Sequence, residues 1–242
     1  MIKLLLVEDD ANLCYMVKSS LEDLIGGYEV LVAANGKEGL DAWKEHKPDI
    51  IVADIEMPVM DGREMVSKIR EIDGNTPILF ASARITPKDV IEGYQLGANN
   101  YIKKPFIPEE MDAHIRGLLN IKDGVRSKNQ SRTYAIGSYQ LDAAHSLLKN
   151  AAGKVKTLTV REAGILELLC ENKGEVIWRE AILSRFWAVE EDFFASRSLD
   201  VFITKLRKLF ADDPSVEIQT VRGVGLMLVE NPDGLSSGTH PE

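Results

Sequence analysis

Six residues able to do chemistry stand just past apolar runs in the first half of this chain. Glu8-Asp9-Asp10 follow Leu4–Val7, Asp54 follows Ile50–Ala53, Ser82 follows Ile78–Ala81, and Lys104 comes shortly after Tyr101-Ile102. Each run reads as a strand, and the carboxyl ends of strands in an open parallel sheet meet in one crevice where ligands bind. Carboxylates, a hydroxyl and an ammonium gathered there suit a divalent cation and a phosphoryl group. Mg²⁺ takes oxygen ligands from one or two carboxylates and keeps waters for the rest. With the crowded acids neutralised, Asp54 could act as a nucleophile toward phosphorus. Ser82 and Lys104 could hold the phosphoryl oxygens, one by a hydrogen bond and one as a point charge.

The elements that must position these groups are legible. Strand patterns at Ile2–Val7, Glu29–Ala33, Ile50–Ala53, Ile78–Ala81 and Asn100–Ile102 alternate with helical patterns. The helices read as Ala11–Leu24, Lys37–Glu45, Gly62–Ile72, Lys88–Leu96 and Glu109–Ile121, the first with Leu13, Val17, Leu21 and Leu24 on one stripe. Thr86-Pro87 sets a hydroxyl N-cap before a proline at the first helical position of the fourth. Asp10 is placed to favour the first turn of a helix through its dipole. Alternation of this kind predicts an α/β domain over 1–121, a doubly wound five-stranded parallel sheet with right-handed crossovers.

Composition bounds the rest. With 242 residues, 45% of them hydrophobic, the chain can bury two cores of ordinary size. No apolar run approaches the roughly 20 residues that span a bilayer, and no signal-like segment opens the chain, so a cytoplasmic protein without membrane contact is expected. Cys14 and Cys170 lie among apolar residues at helical spacing and read as packing residues in a reducing compartment. The net charge of −9 resides mostly in residues 1–121, with 13 Lys+Arg against 21 Asp+Glu, and the remainder is nearly balanced at 16 against 17. A basic binding surface must therefore be local and confined to the second half.

Residues 122–133 are polar and read as a flexible linker, and the Gly/Ser/Pro-rich 231–242 as a disordered tail. Between them, four strand-like runs (Tyr134–Ile136, Tyr139–Asp142, Ser146–Lys149, Lys154–Leu158) suggest a small antiparallel sheet. A capping box, Thr159-x-x-Glu162, announces a helix that Gly174 ends, and a second helix holds Ala181, Ile182, Phe186 and Trp187. A third, about Ser196–Phe210, buries Leu199, Phe202, Ile203, Leu206, Leu209 and Phe210. Its other side shows Arg197, Val201, Thr204, Lys205 and Lys208, with Arg207 flanking. Val216–Val221 and Leu226–Val229 then form a hairpin around Arg222. A cationic helix fits the major groove of double-stranded DNA, and an Arg-bearing hairpin can reach the adjacent minor groove.

These motifs carry a family resemblance. Leu5-Leu6-Val7-Glu8-Asp9-Asp10, Asp54-Ile55-Glu56-Met57-Pro58 with Asp61-Gly62, Ser82-Ala83 and Lys104-Pro105-Phe106 resemble the receiver domain of two-component response regulators. The resemblance implies phosphorylation of Asp54 by a sensor histidine kinase. It also implies Mg²⁺ held by Asp9, Asp54, the backbone carbonyl of Glu56 and, through water, Glu8. Lys104 would contact the phosphoryl group, Ser82 would reorient onto it, and Tyr101 would rotate inward. Leu158-Thr159-x-x-Glu162, Arg197-Ser198-Leu199-Asp200-Val201, Leu206-Arg207-Lys208 and Gln219-Thr220-Val221-Arg222-Gly223-x-Gly225 resemble the winged-helix effector of the OmpR/PhoB class over 134–230. That implies an α+β domain meeting promoter DNA through Arg197, Ser198, Val201, Thr204, Lys205, Arg207, Lys208 and Arg222, with RNA polymerase as a further partner. The chain departs from the pattern at Phe202, Thr204 and Leu226-Met227, which implies fewer phosphate contacts. No enzyme is expected beyond Mg²⁺-dependent self-phosphorylation and dephosphorylation. An Asp-nucleophile phosphotransferase and a DNA-binding regulator indifferent to phosphate are the rival readings.

Regulators of this class dimerise through the fourth helix, fifth strand and fifth helix, usually with charged pairs across the face. Here Asn99 and Asn100 stand where the family has two aspartates, His114 where it has Arg, and Val90 and Ile121 where it has basic residues. Glu110 and Arg116 remain, and Val90 and Tyr94, one turn apart, offer apolar contact. The resemblance therefore implies a homodimer held on this face mainly by packing.

Overall fold

In the computed structural model, residues 1–83, 86–126, 132–187 and 195–230 are described. The expected tail at 231–242 and residues 127–131 of the expected linker lie outside them. Strands β1 (Ile2–Val7), β2 (Tyr28–Ala33), β3 (Ile50–Ala53), β4 (Ile78–Ser82) and β5 (Asn100–Lys103) pair in parallel, in the order β2-β1-β3-β4-β5. Helices α1 (Ala11–Ser19), α2 (Gly36–His46), α3 (Gly62–Arg70), α4 (Pro87–Leu96) and α5 (Pro108–Arg126) cover both faces. The alternation of side chains along a strand divides the core in two. Leu5, Val7, Ile51, Ala53 and Phe80 pack with Trp43, Met65, Val66, Ile69, Val90 and Tyr94 of α2, α3 and α4. Leu4, Leu6, Ile50, Val52 and Leu79 pack with Cys14, Val17, Met111, Ile115 and Leu118 of α1 and α5. The predicted sheet is found.

Local signals set the helix starts. Asp10 caps α1 by accepting from the amides of Asn12 and Leu13, and Thr86 with Asp89 forms a capping box before Pro87. One stripe residue departs from expectation. After Ser19 the helix widens into a π-helical turn over Ser20–Ile25, which carries an extra residue per turn. Val17 and Leu21 stay buried, but the phase shift leaves Leu24 82% exposed, and Ile25 packs against the core in its place. Helix α5 also continues past Ile121 to Arg126, into the stretch read as linker. Polarity does not by itself end a helix, and Gly124 in this stretch costs only about 1 kcal/mol relative to alanine.

The second domain opens with the antiparallel sheet β6 (Thr133–Ile136), β7 (Tyr139–Asp142), β8 (Leu147–Lys149) and β9 (Val155–Thr157). Helix α6 (Val160–Glu171), a short strand β10 (Ile177–Trp178), α7 (Arg179–Phe186) and α8 (Ala195–Leu209) follow. Strands β11 (Val216–Val221) and β12 (Gly225–Glu230) close a second sheet in the order β10-β12-β11. The capping box of Thr159 and Glu162 starts α6 as its spacing required. Strand β10 was not foreseen, because two residues are too short to show a period. Helix α6 is buried from Val160 through Cys170, since it lies against α5, α7, α8 and β12 together. Its Glu167 pairs with Arg132, and both are nearly inaccessible.

Candidate phosphorylation crevice and DNA-binding helix

The turn of strand order beside β1 and β3 opens a crevice at their carboxyl ends. The ladder fixes what enters it: the Asp54 amide donates to Val7 O at 2.9 Å, the Glu8 amide to Ala33 O at 2.9 Å, and the Lys104 amide to Ser82 O at 2.9 Å. Lys104 Nζ then reaches Glu8 Oε2 at 2.5 Å and Asp54 Oδ2 at 2.6 Å. Burial raises the Glu8 carboxyl above its ordinary value, against the opposing pull of Lys104. Burial would lower the Lys104 ammonium, but its hydrogen bonds to Asp54 and Glu8 outweigh that and raise it. The other oxygen of Asp54 accepts from the amides of Ile55 at 2.5 Å and Glu56 at 3.4 Å. Helix α3 begins so close behind that a Cβ on Gly62 would lie 2.1 Å from the Asp54 carbonyl oxygen. Only glycine lets that helix start press on the site.

Oxygen atoms of Glu8, Asp9 and Asp54 lie within 4.8 Å of one another, with Asp9 exposed and Glu8 buried. An all-carboxylate set with one member open to water fits Mg²⁺, which keeps part of its hydration shell. Ser82 is buried at the end of β4 and Glu56 is exposed in the loop after β3, both beside this crevice. Thus Glu8, Asp9, Asp54, Ser82 and Lys104, far apart in the chain, converge as the spacing predicted.

Residues 4–116 match the response regulator receiver domain family, and residues 153–228 match the family of C-terminal domains of transcriptional regulatory proteins. The transcriptional regulatory protein RprY of Bacteroides fragilis is 35% identical over 94% of this chain and 94% of its own. PrrA of Mycobacterium leprae is 36% identical over 93% of this chain and 95% of its own. Solved structures of two RitR mutants, 25% identical, cover 96% of this chain and 100% of theirs with TM-scores of 0.75 and 0.78. This chain belongs to the two-component response regulators. It is a transcriptional regulator with a receiver and a DNA-binding domain, and among its described residues no helix is long and apolar enough to cross a membrane.

In this response regulator α8, the helix expected to meet DNA, is not wholly free. Of the residues expected to contact DNA, Arg197, Thr204, Lys208 and Arg222 are exposed. Ser198 and Val201, expected to contact DNA, are instead buried, Val201 because α8 lies on α4 of the receiver. Lys205 is half-buried, paired with Glu162 and donating to the Tyr94 carbonyl oxygen at 3.2 Å. Arg207 donates to Ile218 O at 2.8 Å and to Thr220 Oγ1 at 2.7 Å, so it braces β11.

The expected dimer face of the regulator also differs. Val90, Tyr94, Asn99, Asn100 and His114 are buried within the single chain, whereas Glu110 and Arg116 are exposed. Arg116 is taken by Asp112 one turn away. Tyr101 already points inward: its ring sits 5.3 Å from Phe80 and 5.2 Å from Tyr94, and its hydroxyl donates to Asp89 O at 3.0 Å. Gly93 makes that possible, since a Cβ there would lie 1.5 Å from the Tyr101 hydroxyl. Arg161 and Trp187 also belong to this region and were not foreseen as functional. Arg161 sits in the first turn of α6, where nothing in the local pattern distinguishes an outward charge from one reaching another domain.

Proposed function

We propose that this regulator accepts a phosphoryl group on Asp54 from a sensor histidine kinase in the cytoplasm and thereby controls its binding to promoter DNA and its action on RNA polymerase. The observation that carries the reading is the convergence of Glu8, Asp9, Asp54 and Lys104 at the strand ends of a chain that also carries a DNA-binding domain. An Asp54 carboxylate oxygen attacks phosphorus, the P–N bond to the kinase histidine breaks, and its electron pair returns to the imidazole. Lys104, freed from part of its contact with Asp54, holds a transferred phosphoryl oxygen. Ser82 donates to another. Glu8, Asp9, Asp54 and the Glu56 carbonyl would hold Mg²⁺, whose charge offsets the repulsion between carboxylate and phosphoryl group. In the effector, Arg197, Thr204, Lys205, Lys208 and Arg222 are the groups whose reach suits DNA bases and backbone.

The test is incubation with acetyl phosphate and Mg²⁺, followed by intact mass measurement. One phosphoryl group is expected on the native chain, none on Asp54→Ala, and none in excess chelator. Undiminished labelling of the alanine variant would overturn the reading.

A further inference from the structure

Trp178 is a large ring that neither packs nor caps. It is 61% exposed, whereas Trp43 and Trp187 are 4% and 3% exposed. It stands at the N-cap of α7 and makes no side-chain capping hydrogen bond there. An N-cap needs an acceptor, and the indole Nε1–H is a donor only. Its neighbour Ile177 supplies the buried side chain of β10. Neither the core nor the helix start therefore accounts for a tryptophan here. A single exposed apolar residue is ordinary, so its place decides what it means.

That place is the joint between the β11–β12 hairpin and α8. Trp178 pairs with Gly225 across the β10–β12 ladder, and Gly225 pairs with Val221, the residue before Arg222. Paired strands lie about 4.8 Å apart, so Trp178 stands about 10 Å from the base of the arginine-bearing turn. Gly225 allows this approach, since a Cβ there would lie 1.8 Å from the Ile177 carbonyl oxygen. Arg179 donates its amide to Val224 O at 3.0 Å and pairs through Nη1 with Asp200 Oδ1 of α8 at 2.9 Å. Asp200 shares a helix face with Arg197 and Thr204, one turn to either side. Trp178 is thus held between Arg222 and Arg197, both exposed. Exposed Glu175 and Glu180 flank it, so a contact made here is made by the ring rather than by local charge.

A domain that sends one helix into the major groove and a hairpin into the adjacent minor groove straddles one sugar–phosphate strand. That strand crosses between the two, over the joint of β10 and α7. We propose that Trp178 receives this strand of double-stranded DNA, its ring on the C–H face of a deoxyribose and its Nε1–H donating to a phosphate oxygen. A ring with an apolar body and one donor suits such a surface. Contacts to sugar and phosphate position a protein without reading sequence, so Trp178 sets the register in which Arg197, Thr204 and Lys208 meet the bases. The inference rests on the DNA-binding reading of α8 and the hairpin.

The full chain, treated with acetyl phosphate and Mg²⁺, is titrated with a labelled duplex selected from a random pool and with a shuffled duplex of equal length. Because Trp43 and Trp187 are buried, acrylamide quenching of tryptophan emission reports mainly on Trp178, and the difference from Trp178→Phe isolates its share. The duplex should abolish most of that share. Trp178→Ala should weaken both duplexes about tenfold without changing the salt slope, because a neutral donor releases no counterion. Trp178→Phe should recover most of the loss, and Arg222→Ala should instead lower the slope by about 0.9. Both Trp178 variants should melt with the native chain; if Trp178→Ala melts early, the quenching decides. Native affinity in Trp178→Ala, or a ring still open to acrylamide on the duplex, would overturn the inference and leave DNA binding by α8 intact. Shielding of Trp178 as protein concentration rises without duplex would also overturn it, by assigning the ring to a contact between copies. A native chain that binds neither duplex would overturn the DNA-binding reading, and this inference with it.

Discussion

The phosphorylation crevice and the seam between α4 and α8 are both built from residues distant in sequence, but by different means. In the crevice, small charged residues sit at strand ends whose positions the parallel ladder dictates. Lys104 pairs with Glu8 and Asp54, and one ammonium against the three carboxylates of Glu8, Asp9 and Asp54 leaves the crevice anionic. At the seam, Tyr94 of one domain and Phe202 and Trp187 of the other interlock around Arg161, and among the described residues Asn99 Nδ2 and Trp187 Nε1 find no acceptor. A buried donor without a partner costs about 1–3 kcal/mol, which water returns on exposure. The crevice is thus organised by charge at fixed strand ends, and the seam by the packing of rings from two domains.

The largest expected effect on that contrast is at the seam. Phe202→Ala removes a ring that packs on Tyr94 and Trp187, and truncation of a buried Phe costs about 3–5 kcal/mol. Chemical denaturation of the full chain should show it, while phosphorylation of Asp54 by acetyl phosphate stays within about twofold of native. A phosphorylation rate that falls in step with stability would mean that crevice and seam are one cooperative unit.

Gly93→Ala should have a smaller effect and touch both regions. The added Cβ would meet the Tyr101 hydroxyl at 1.5 Å, so the ring must leave its notch or α4 must shift. Overpacking of this kind costs about 1–3 kcal/mol. Because Tyr101 also supports Tyr94, the variant should loosen the seam, visible as faster proteolysis between the domains. Unchanged proteolysis would separate Tyr101 from the seam.

Glu8→Gln sharpens the comparison from the crevice side, with the smallest effect. The folded Glu8 carboxyl lies above its ordinary value near 4.5, so between those values the folded chain binds more protons than the unfolded one. Stability then falls as pH rises through that window and stays lower above it. The glutamine variant should melt at a higher temperature at pH 7, lose that advantage below about pH 4.5, and bind Mg²⁺ more weakly by titration. A lower melting temperature at pH 7 would mean that the Lys104 contact outweighs the burial of the charge.

Much of this was decided along the chain itself. Apolar runs ending in Glu8-Asp9, Asp54, Ser82 and Lys104 dictate both the strands and where their ends point, because a parallel sheet gathers those ends on one edge. Capping at Asp10, Thr86 and Thr159 is likewise local chemistry acting within a few residues. The π-helical turn that exposes Leu24 depends on how the helix settles against its neighbours, which no local period encodes. The partner of α4 lay furthest from the sequence. Tyr94 and Phe202 each look like a residue with an apolar face to cover, but a pattern shows only that a face must be buried. What buries it depends on which surfaces meet when two domains fold, and tertiary structure alone paired Tyr94 with Phe202 and sent Arg161 to Asn99.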